Sequence, residues 1–170
     1  VSRETLAKLQ VYADTLIKWN PKINLVAKST IDDLWDRHII DSLQIMRHIP
    51  DGPQHIVDIG SGGGFPGLVL AIASSEARPE ALITMIESDQ RKSAFLRTVL
   101  RETGVSATVL TERIEKAPAQ SADVLTARAL ADLSLLLEFA EQHLKKEGTA
   151  FFLKGKNWRT ELQKAQEVWQ

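Results

Sequence analysis

Residues 55–67 have the composition of a loop that binds a nucleotide-like cofactor. The apolar run Ile56–Ile59, interrupted by Asp58, is followed by a cluster of glycines and then by Pro66, a residue suited to the first turn of a helix. Glycines in such a turn permit positive φ angles and let a ligand approach the main chain closely. The N–H groups at the start of the next helix can donate hydrogen bonds to that ligand. The pattern predicts a cofactor at the end of the first strand of an α/β sheet.

The position of Asp58 favours S-adenosylmethionine over NAD as that cofactor. The glycines fit two registers: residues 60–64 read Gly-x-Gly-x-Gly directly after the strand, and residues 62–67 read Gly-x-Gly-x-x-Gly, the dinucleotide pattern. A carboxylate two residues before the first glycine attracts the amine and the sulfonium of S-adenosylmethionine, whereas it repels a pyrophosphate. The alternative is that Asp58 only caps the loop.

Three further acids stand where the nucleoside part of a cofactor would be bound. Glu87 ends the second predicted strand and can bind a ribose hydroxyl of either cofactor. Glu112 and Glu115 follow the third predicted strand, at the edge that faces the adenosine in folds of this kind. Acids there suit a cationic cofactor; the alternative is that Glu112 and Glu115 are solvated.

Alternating strands and helices from residue 54 onward position this loop. Residues 1–53 predict a helical N-terminal cap. Its first helix spans residues 2–19 and is terminated by Trp19-Asn20-Pro21, because the residue before a proline avoids the α region. Strands are predicted at residues 55–59, 82–87, 106–110, 122–127 and 149–153, with helices at 66–74, 89–103, 132–145 and after Asn157. The alternation indicates a single-domain α/β protein with a parallel, Rossmann-like sheet covered by helices on both faces.

Composition excludes several classes of protein. The 170 residues carry a net charge of −1, so binding of a nucleic acid would require a local basic patch. The chain has no cysteine, which excludes disulfides, zinc–thiolate sites and a cysteine nucleophile, and no metal site is predicted. No apolar run approaches the roughly 20 residues of a membrane span, and the first residues do not read as a signal peptide, so we expect a cytoplasmic protein.

Several motifs together resemble the RsmG (GidB) family, bacterial enzymes that methylate guanine N7 in 16S ribosomal RNA. The glycine motif at residues 57–67 is shared with many methyltransferases, whereas Arg37–Ser42 together with Arg128-Ala129 is much more specific. Further matching motifs in the same order are Lys18–Asn20, Ile23–Leu25, Arg91-Lys92, Phe95-Leu96, Arg113–Glu115, Thr126-Ala127 and Leu153–Gly155. The resemblance covers nearly the whole chain.

The resemblance implies a class I methyltransferase fold that uses S-adenosylmethionine. The cofactor-binding residues that it implies, together with Asp58, are Gly60, Phe65, Glu87, Ile114, Glu115 and Arg128. For Arg128 two alternatives stay open, since it could orient the base or a phosphate, or form an ion pair with Asp132. Guanine N7 has a free lone pair and no proton, so no catalytic base is predicted. The protein has to align N7 with the methyl group and the sulfur, and to exclude water.

The RNA partner implied by the resemblance is 16S ribosomal RNA in the small ribosomal subunit or its assembly intermediate, and no oligomer is implied. The candidate RNA contacts are basic residues of the cap and of the cofactor edge of the sheet: Lys28, Arg37, Arg91, Lys92, Lys154 and Lys156. His38 is interpreted as a hydrogen-bonded structural residue, and Asn24 has no role that the sequence explains.

Other functions remain compatible with the residues alone. They are a methyltransferase for a small molecule or a protein, an NAD-binding oxidoreductase, and a non-catalytic domain that binds RNA. The family's sheet normally ends with two further strands, and the sequence has no pattern for them before Gln170. We therefore expect the C-terminal strands to be missing from this chain, which would expose an edge of the sheet.

Overall fold

A five-stranded parallel sheet forms the centre of the protein, in a computed structural model that describes residues 1–169. The strand order is β3-β2-β1-β4-β5, with β1 His55–Ile59, β2 Leu82–Ile86, β3 Thr108–Leu110, β4 Ala122–Arg128 and β5 Leu144–Leu153. The α-helices are α1 Arg3–Ile23, α2 Asp41–Leu43, α3 Gly67–Ala77, α4 Gln90–Thr103, α5 Leu133–His143 and α6 Trp158–Val168. The predicted parallel α/β sheet is confirmed. Chain order reverses between β1 and β4, and ligands of such sheets bind beside that point, outside the carboxyl ends of the strands.

Helices cover both faces of the sheet, which explains the apolar character of β1. Successive side chains of a strand point to opposite faces. Ile56 packs into the larger apolar cluster, with residues of α1, α3 and α4, whereas Val57 and Ile59 pack into the smaller cluster with Leu136 of α5. This alternation places Asp58 on the same face as Ile56, the face that α3 covers. Among residues 1–169, no helix combines the length and the apolarity needed to cross a bilayer.

The first helix runs one turn further than the sequence predicts. α1 continues through Pro21 to Ile23, and Asn24 ends it in the left-handed conformation, with φ of 52°. The proline removes one N–H close to the end of the helix, where little of the hydrogen-bond ladder remains to be lost. The Asn20 side chain supports the turn, because its Oδ1 accepts hydrogen bonds from the N–H groups of Leu25 and Val26. The role of Asn24 is therefore that of a helix terminator.

Short helical turns lead from α1 to the sheet. They are a 3₁₀ turn at Lys28–Thr30, a π-helical turn at Trp35–Ile40, α2, and a second 3₁₀ turn at Gln44–His48. α1 is anchored to the glycine loop by Tyr12, whose hydroxyl donates to the Gly63 carbonyl. The Tyr12 side chain is fully buried, and burial raises the pKa of its hydroxyl well above its usual value, so the hydroxyl keeps its proton.

The last strand begins five residues earlier than predicted. The sequence assigns residues up to 145 to a helix, but α5 ends at His143 and β5 starts at Leu144. Residues 145–147 are charged and exposed, as suits a strand at the edge of a sheet, so they lack an apolar alternation that would mark them. β3 is shorter than predicted, since only Thr108–Leu110 pairs with β2.

Candidate cofactor site

A cavity of about 690 Å³ opens at the carboxyl ends of β1, β2 and β4. The glycine loop forms its floor, and residues 25–27 and His38 bring in the N-terminal segment as the opposite wall. Further lining residues lie at or beyond the strand ends, at 86–88 for β2, 112–115 for β3 and 128–131 for β4, and on the helices, at Lys92 of α4 and at Leu135 and Phe139 of α5. The volume lies within the range of small-molecule sites.

The glycine loop and Glu87 hold one another. Gly62 has φ of 52°, a conformation that strains other residues, and its N–H donates to Glu87 Oε1 at 3.0 Å. Glu87 Oε2 accepts from the N–H of Asp89 at 3.3 Å, at the start of α4. The Glu87 side chain also lines the cavity, and a carboxylate has lone pairs left after two such bonds. Glu87 can thus accept hydrogen bonds from ribose hydroxyls, the role predicted for this position.

Asp58 lies beneath the loop and does not line the cavity, which corrects the direct cofactor contact that its charge suggested. It is 0% exposed. Its Oδ2 accepts from the N–H of Gly67 at 3.2 Å, and its Oδ1 accepts from the hydroxyl of Thr126 at 2.7 Å. The alternation of β1 explains this placement, because it aims the side chain at α3. Asp58 therefore fixes the loop and acts on a ligand only through its charge.

Burial raises the pKa of the Asp58 carboxyl to about 6, against its usual 3.8. Hydrogen bonds from Thr126 and Gly67 oppose this shift by stabilising the charged form, while the charge of Glu87 adds to it. The Asp58 carboxyl consequently titrates close to neutral pH.

The segment after β3 is held from the end of α5. The backbone carbonyl of Ile114 accepts from His143 Nε2 at 2.8 Å, and Gln142 Nε2 donates to the carbonyls of Glu115 and Ala117, each at 3.2 Å. Ile114 is buried and Glu115 exposed. Sequence reasoning missed the two α5 residues, because they act across about 25 residues of chain and belong to no local pattern. A polar pair ending an apolar helix was the only available signal.

The carboxylates of this segment are turned toward their own neighbours. Glu115 Oε1 lies 2.7 Å from Arg113 Nε, and Glu112 Oε1 accepts from the N–H of Arg113 at 2.9 Å. Both acids still line the cavity. They are exposed, so the solvated interpretation and the cofactor contact are compatible with one another here.

Arg128, Phe65 and His38 form a cluster between the sheet and the N-terminal segment. The guanidinium of Arg128 lies 5.8 Å from the centroid of the Phe65 ring, and the His38 ring stacks on the same ring at 5.0 Å. Arg128 Nη2 donates to the Arg37 carbonyl at 3.0 Å. The alternative of an ion pair with Asp132 is wrong, because no such pair occurs in the described residues 1–169; Asp132 instead caps α5 by accepting from the N–H of Leu135.

Comparison with known sequences identifies the family to which the chain belongs. The family model described as "GidB: rRNA small subunit methyltransferase G" matches residues 5–170. The chain belongs to this family. The predicted membership is confirmed, and it does not fit the alternative of an NAD-binding oxidoreductase.

Relatives and solved structures agree with this membership. A Ribosomal RNA small subunit methyltransferase G from Ruegeria sp. (strain TM1040) is 56% identical over 99% of this chain and 82% of its own length. The protein of that name from Rhizobium meliloti (strain 1021) is 51% identical over 97% and 79%. A TehB-like SAM-dependent methyltransferase from Corynebacterium glutamicum superposes with a TM-score of 0.59 at 16% identity, over 95% of this chain and 83% of that one. A SAM-dependent O-methyltransferase from Thermotoga maritima gives 0.59 at 20%, over 82% and 54%. The class I methyltransferase fold is confirmed.

The basic residues predicted to contact RNA differ in the exposure and the pairing of their side chains. Lys154 is paired within the protein: its Nζ lies 2.9 Å from Glu161 Oε1 and donates to the Ala131 carbonyl at 2.6 Å, and 15% of its side chain is exposed. The structure thus argues against an RNA contact for this GidB-family lysine. Lys92 lines the cavity. The remaining candidates are exposed: Lys28, Arg37, Arg91 and Lys156.

Proposed function

We propose that this protein transfers the methyl group of S-adenosylmethionine to N7 of a guanine in 16S ribosomal RNA. The observation that carries the proposal is the cavity at the β1/β4 switch point, in which the glycine loop with Phe65 and Arg128 faces residues 25–27 and His38 of the N-terminal segment. Membership of the GidB family supports the RNA substrate, since the relatives are named as methyltransferases of the small-subunit ribosomal RNA.

The residues present fit the cofactor. Glu87 supplies acceptors for ribose hydroxyls beside the positive-φ glycine loop, and Ile114 and Glu115 form the segment that flanks an adenine. Arg128 lines the same cavity, and its Nη1 is buried without a hydrogen-bond partner among residues 1–169, so it can donate to a ligand bound there. We assign cofactor binding to Gly60, Phe65, Glu87, Ile114, Glu115 and Arg128, with Asp58 holding the loop from below.

The chemistry asks for alignment and needs no proton transfer at N7. S-adenosylmethionine supplies an electrophilic methyl group on a positively charged sulfur. Since N7 presents a lone pair, the protein has to bring it into line with the methyl–sulfur bond and keep water away. The buried charge of Asp58 beneath the glycine loop favours a cationic ligand above it. No residue is assigned as a catalytic base.

The proposed partner is the small ribosomal subunit or an assembly intermediate of it, which also places the protein in the cytoplasm. We propose Lys28, Arg37, Arg91, Lys92 and Lys156 as RNA contacts, because their charges are exposed or line the cavity. The net charge of −1 fits a substrate presented by a large assembly better than capture of free RNA by charge. Residues 1–53 would act with the sheet as a single unit, since Tyr12 bonds the glycine loop.

Methyl transfer to unmodified small subunits tests the proposal. Subunits are incubated with the protein and with cofactor carrying a labelled methyl group, and nuclease fragments of the RNA are analysed by mass. We expect one labelled 7-methylguanosine. The variant Arg128→Ala should lose the label, whereas Arg101→Ala, an exposed arginine on α4, should retain it. Label found only in protein or in small molecules would contradict the RNA substrate.

A further inference from the structure

His38 has an uncommon setting for a residue on the wall of the cavity. Its ring stacks on Phe65, whose ring also lies under the Arg128 guanidinium. Among residues 1–169, its Nδ1 is buried and has no hydrogen-bond partner. An unpaired buried nitrogen costs free energy unless a ligand satisfies it, so its chemical character matters.

The hydrogen bonds of Thr30 determine which nitrogen of His38 carries the proton. Thr30 Oγ1 donates its only proton to the Ala27 carbonyl at 2.8 Å. The same oxygen lies 2.9 Å from His38 Nε2 and must therefore accept from it. Nε2 carries the hydrogen, and Nδ1 is left with a lone pair. Nδ1 is consequently an acceptor.

The charges around His38 keep it neutral. Burial, together with the positive charges of Arg128 and Arg37, lowers the pKa of the imidazole to about 4, against the opposing effect of the Asp41 carboxylate. At neutral pH, Nδ1 thus remains an acceptor. Arg128 Nη1, which also has no partner in the described part of the chain, is always a donor.

We propose that these two nitrogens recognise the target base by its Watson–Crick edge: Arg128 Nη1 donates to O6 of guanine, and His38 Nδ1 accepts from N1–H. The proposal rests on the methyl-transfer function stated above and names its specificity-determining residue, His38. A base that enters the cavity, which His38, Phe65 and Arg128 all line, would give both nitrogens a partner while leaving N7, on the other edge of the purine, toward the cofactor.

This pair of groups discriminates between the purines. Guanine presents an acceptor at O6 beside a donor at N1, which matches a donor and an acceptor on the protein. Adenine presents a donor at N6 beside an acceptor at N1, so both contacts would be reversed. Buried groups left unpaired by the wrong base give stronger discrimination than a hydrophobic wall can.

Two variants of His38 separate recognition from structure. In His38→Asn the amide oxygen can occupy the position of Nδ1, but the bond to Thr30 is lost. In His38→Gln the longer amide can reach Thr30, but nothing replaces Nδ1. We expect kcat/KM for the small subunit to fall about ten- to hundredfold in His38→Gln and clearly less in His38→Asn. The dissociation constant of S-adenosylmethionine, measured on the same samples, should match the wild type in both, whereas the melting temperature should fall in both because each loses the ring that stacks on Phe65.

If His38→Asn lost more activity than His38→Gln, the role of His38 would be only to hold Thr30. Equal activities of the two variants would also overturn the proposal. A parallel loss of cofactor binding would assign His38 to the cofactor and overturn it as well. If the wild type labels no guanine, the methyl-transfer function itself fails and this inference with it. If the wild type labels guanine and the variants behave like the wild type, only the inference fails.

Altered bases test the same contact from the side of the RNA. Inosine keeps O6 and N1–H, whereas 2-aminopurine has neither, and both have N7. With each base ligated into the target position, the wild type should methylate inosine at a rate within a few-fold of guanine and 2-aminopurine at least tenfold more slowly. Equal rates for guanine and 2-aminopurine would show that the proposed edge is not recognised.

Discussion

The carboxylate of Asp58 lies directly against the backbone of Gly67. Oδ2 accepts a hydrogen bond from the Gly67 N–H at 3.2 Å, and a β-carbon added to Gly67 would lie 2.5 Å from the same oxygen. The contact joins the central strand β1 to the first turn of α3 beneath the glycine loop. Its two partners are therefore coupled, so a change at either one disturbs the cofactor loop.

Gly67→Ala should destabilise the protein and weaken cofactor binding. The added methyl group would also lie 2.9 Å from Met85 Cγ, so the first turn of α3 has to move away from β1. We expect the free energy of unfolding to fall by about 2–3 kcal/mol in denaturant titrations. Gly155→Ala is the matched control, since a β-carbon there meets nothing within 4 Å. Equal stability of the two variants would show that α3 shifts without cost.

At neutral pH, Asp58→Asn should be more stable than the wild type. In acid, this gain in stability should be smaller. The folded pKa of about 6 lies above the usual 3.8, so the folded state binds the proton more tightly than the unfolded chain does. The contribution of Asp58 to stability is thus full below pH 3.8 and is lost as the pH rises through 6.

An asparagine has no charge to bury, and it can accept from Gly67 while its amide donates to the Thr126 hydroxyl. The difference in unfolding free energy between variant and wild type should therefore grow from pH 4 to pH 7 by about 2–3 kcal/mol. Denaturant titrations at four pH values measure it. A difference that stays constant across this range would refute the assignment of a proton to Asp58.

Arg128→Lys should loosen the N-terminal segment. The lysine lacks the planar group that lies over Phe65 and reaches the Arg37 carbonyl at the same time. We expect a loss of about 1–2 kcal/mol in stability and faster proteolysis within residues 24–48. Arg101→Lys, on the exposed side of α4, should change neither quantity.

Two lysines at the cofactor edge should separate stability from RNA binding. Lys154→Ala should cost about 1 kcal/mol in unfolding free energy, because its ammonium bonds Glu161 and the Ala131 carbonyl, and should leave RNA affinity unchanged. Lys92→Ala should leave stability unchanged and reduce the slope of log affinity against log salt by about one. Binding to small subunits at several salt concentrations tests both. A reduced slope for Lys154→Ala would restore it as an RNA contact.

Local sequence patterns were sufficient for the presence of five strands and for the glycine loop, because alternation and glycine spacing are short-range signals, but they placed the start of β5 five residues too late. They misplaced the end of α1, since the side chain of Asn20 supports a turn that the rule for proline excludes. They also placed Asp58 in the cofactor site, because a charge before a glycine loop does not show which face of β1 it occupies. The support of Ile114 by His143 depends on tertiary contact and leaves no local trace.

The bond from Tyr12 to the Gly63 carbonyl makes the N-terminal helix part of the binding equilibrium. A segment that packs on the cofactor loop becomes more ordered when the loop binds a ligand, and such coupling is reciprocal. Occupancy of the cavity should therefore be reported at a distance, as slower amide exchange along α1. An RNA that docks on the N-terminal segment would in turn raise the affinity for the cofactor before the methyl group is transferred.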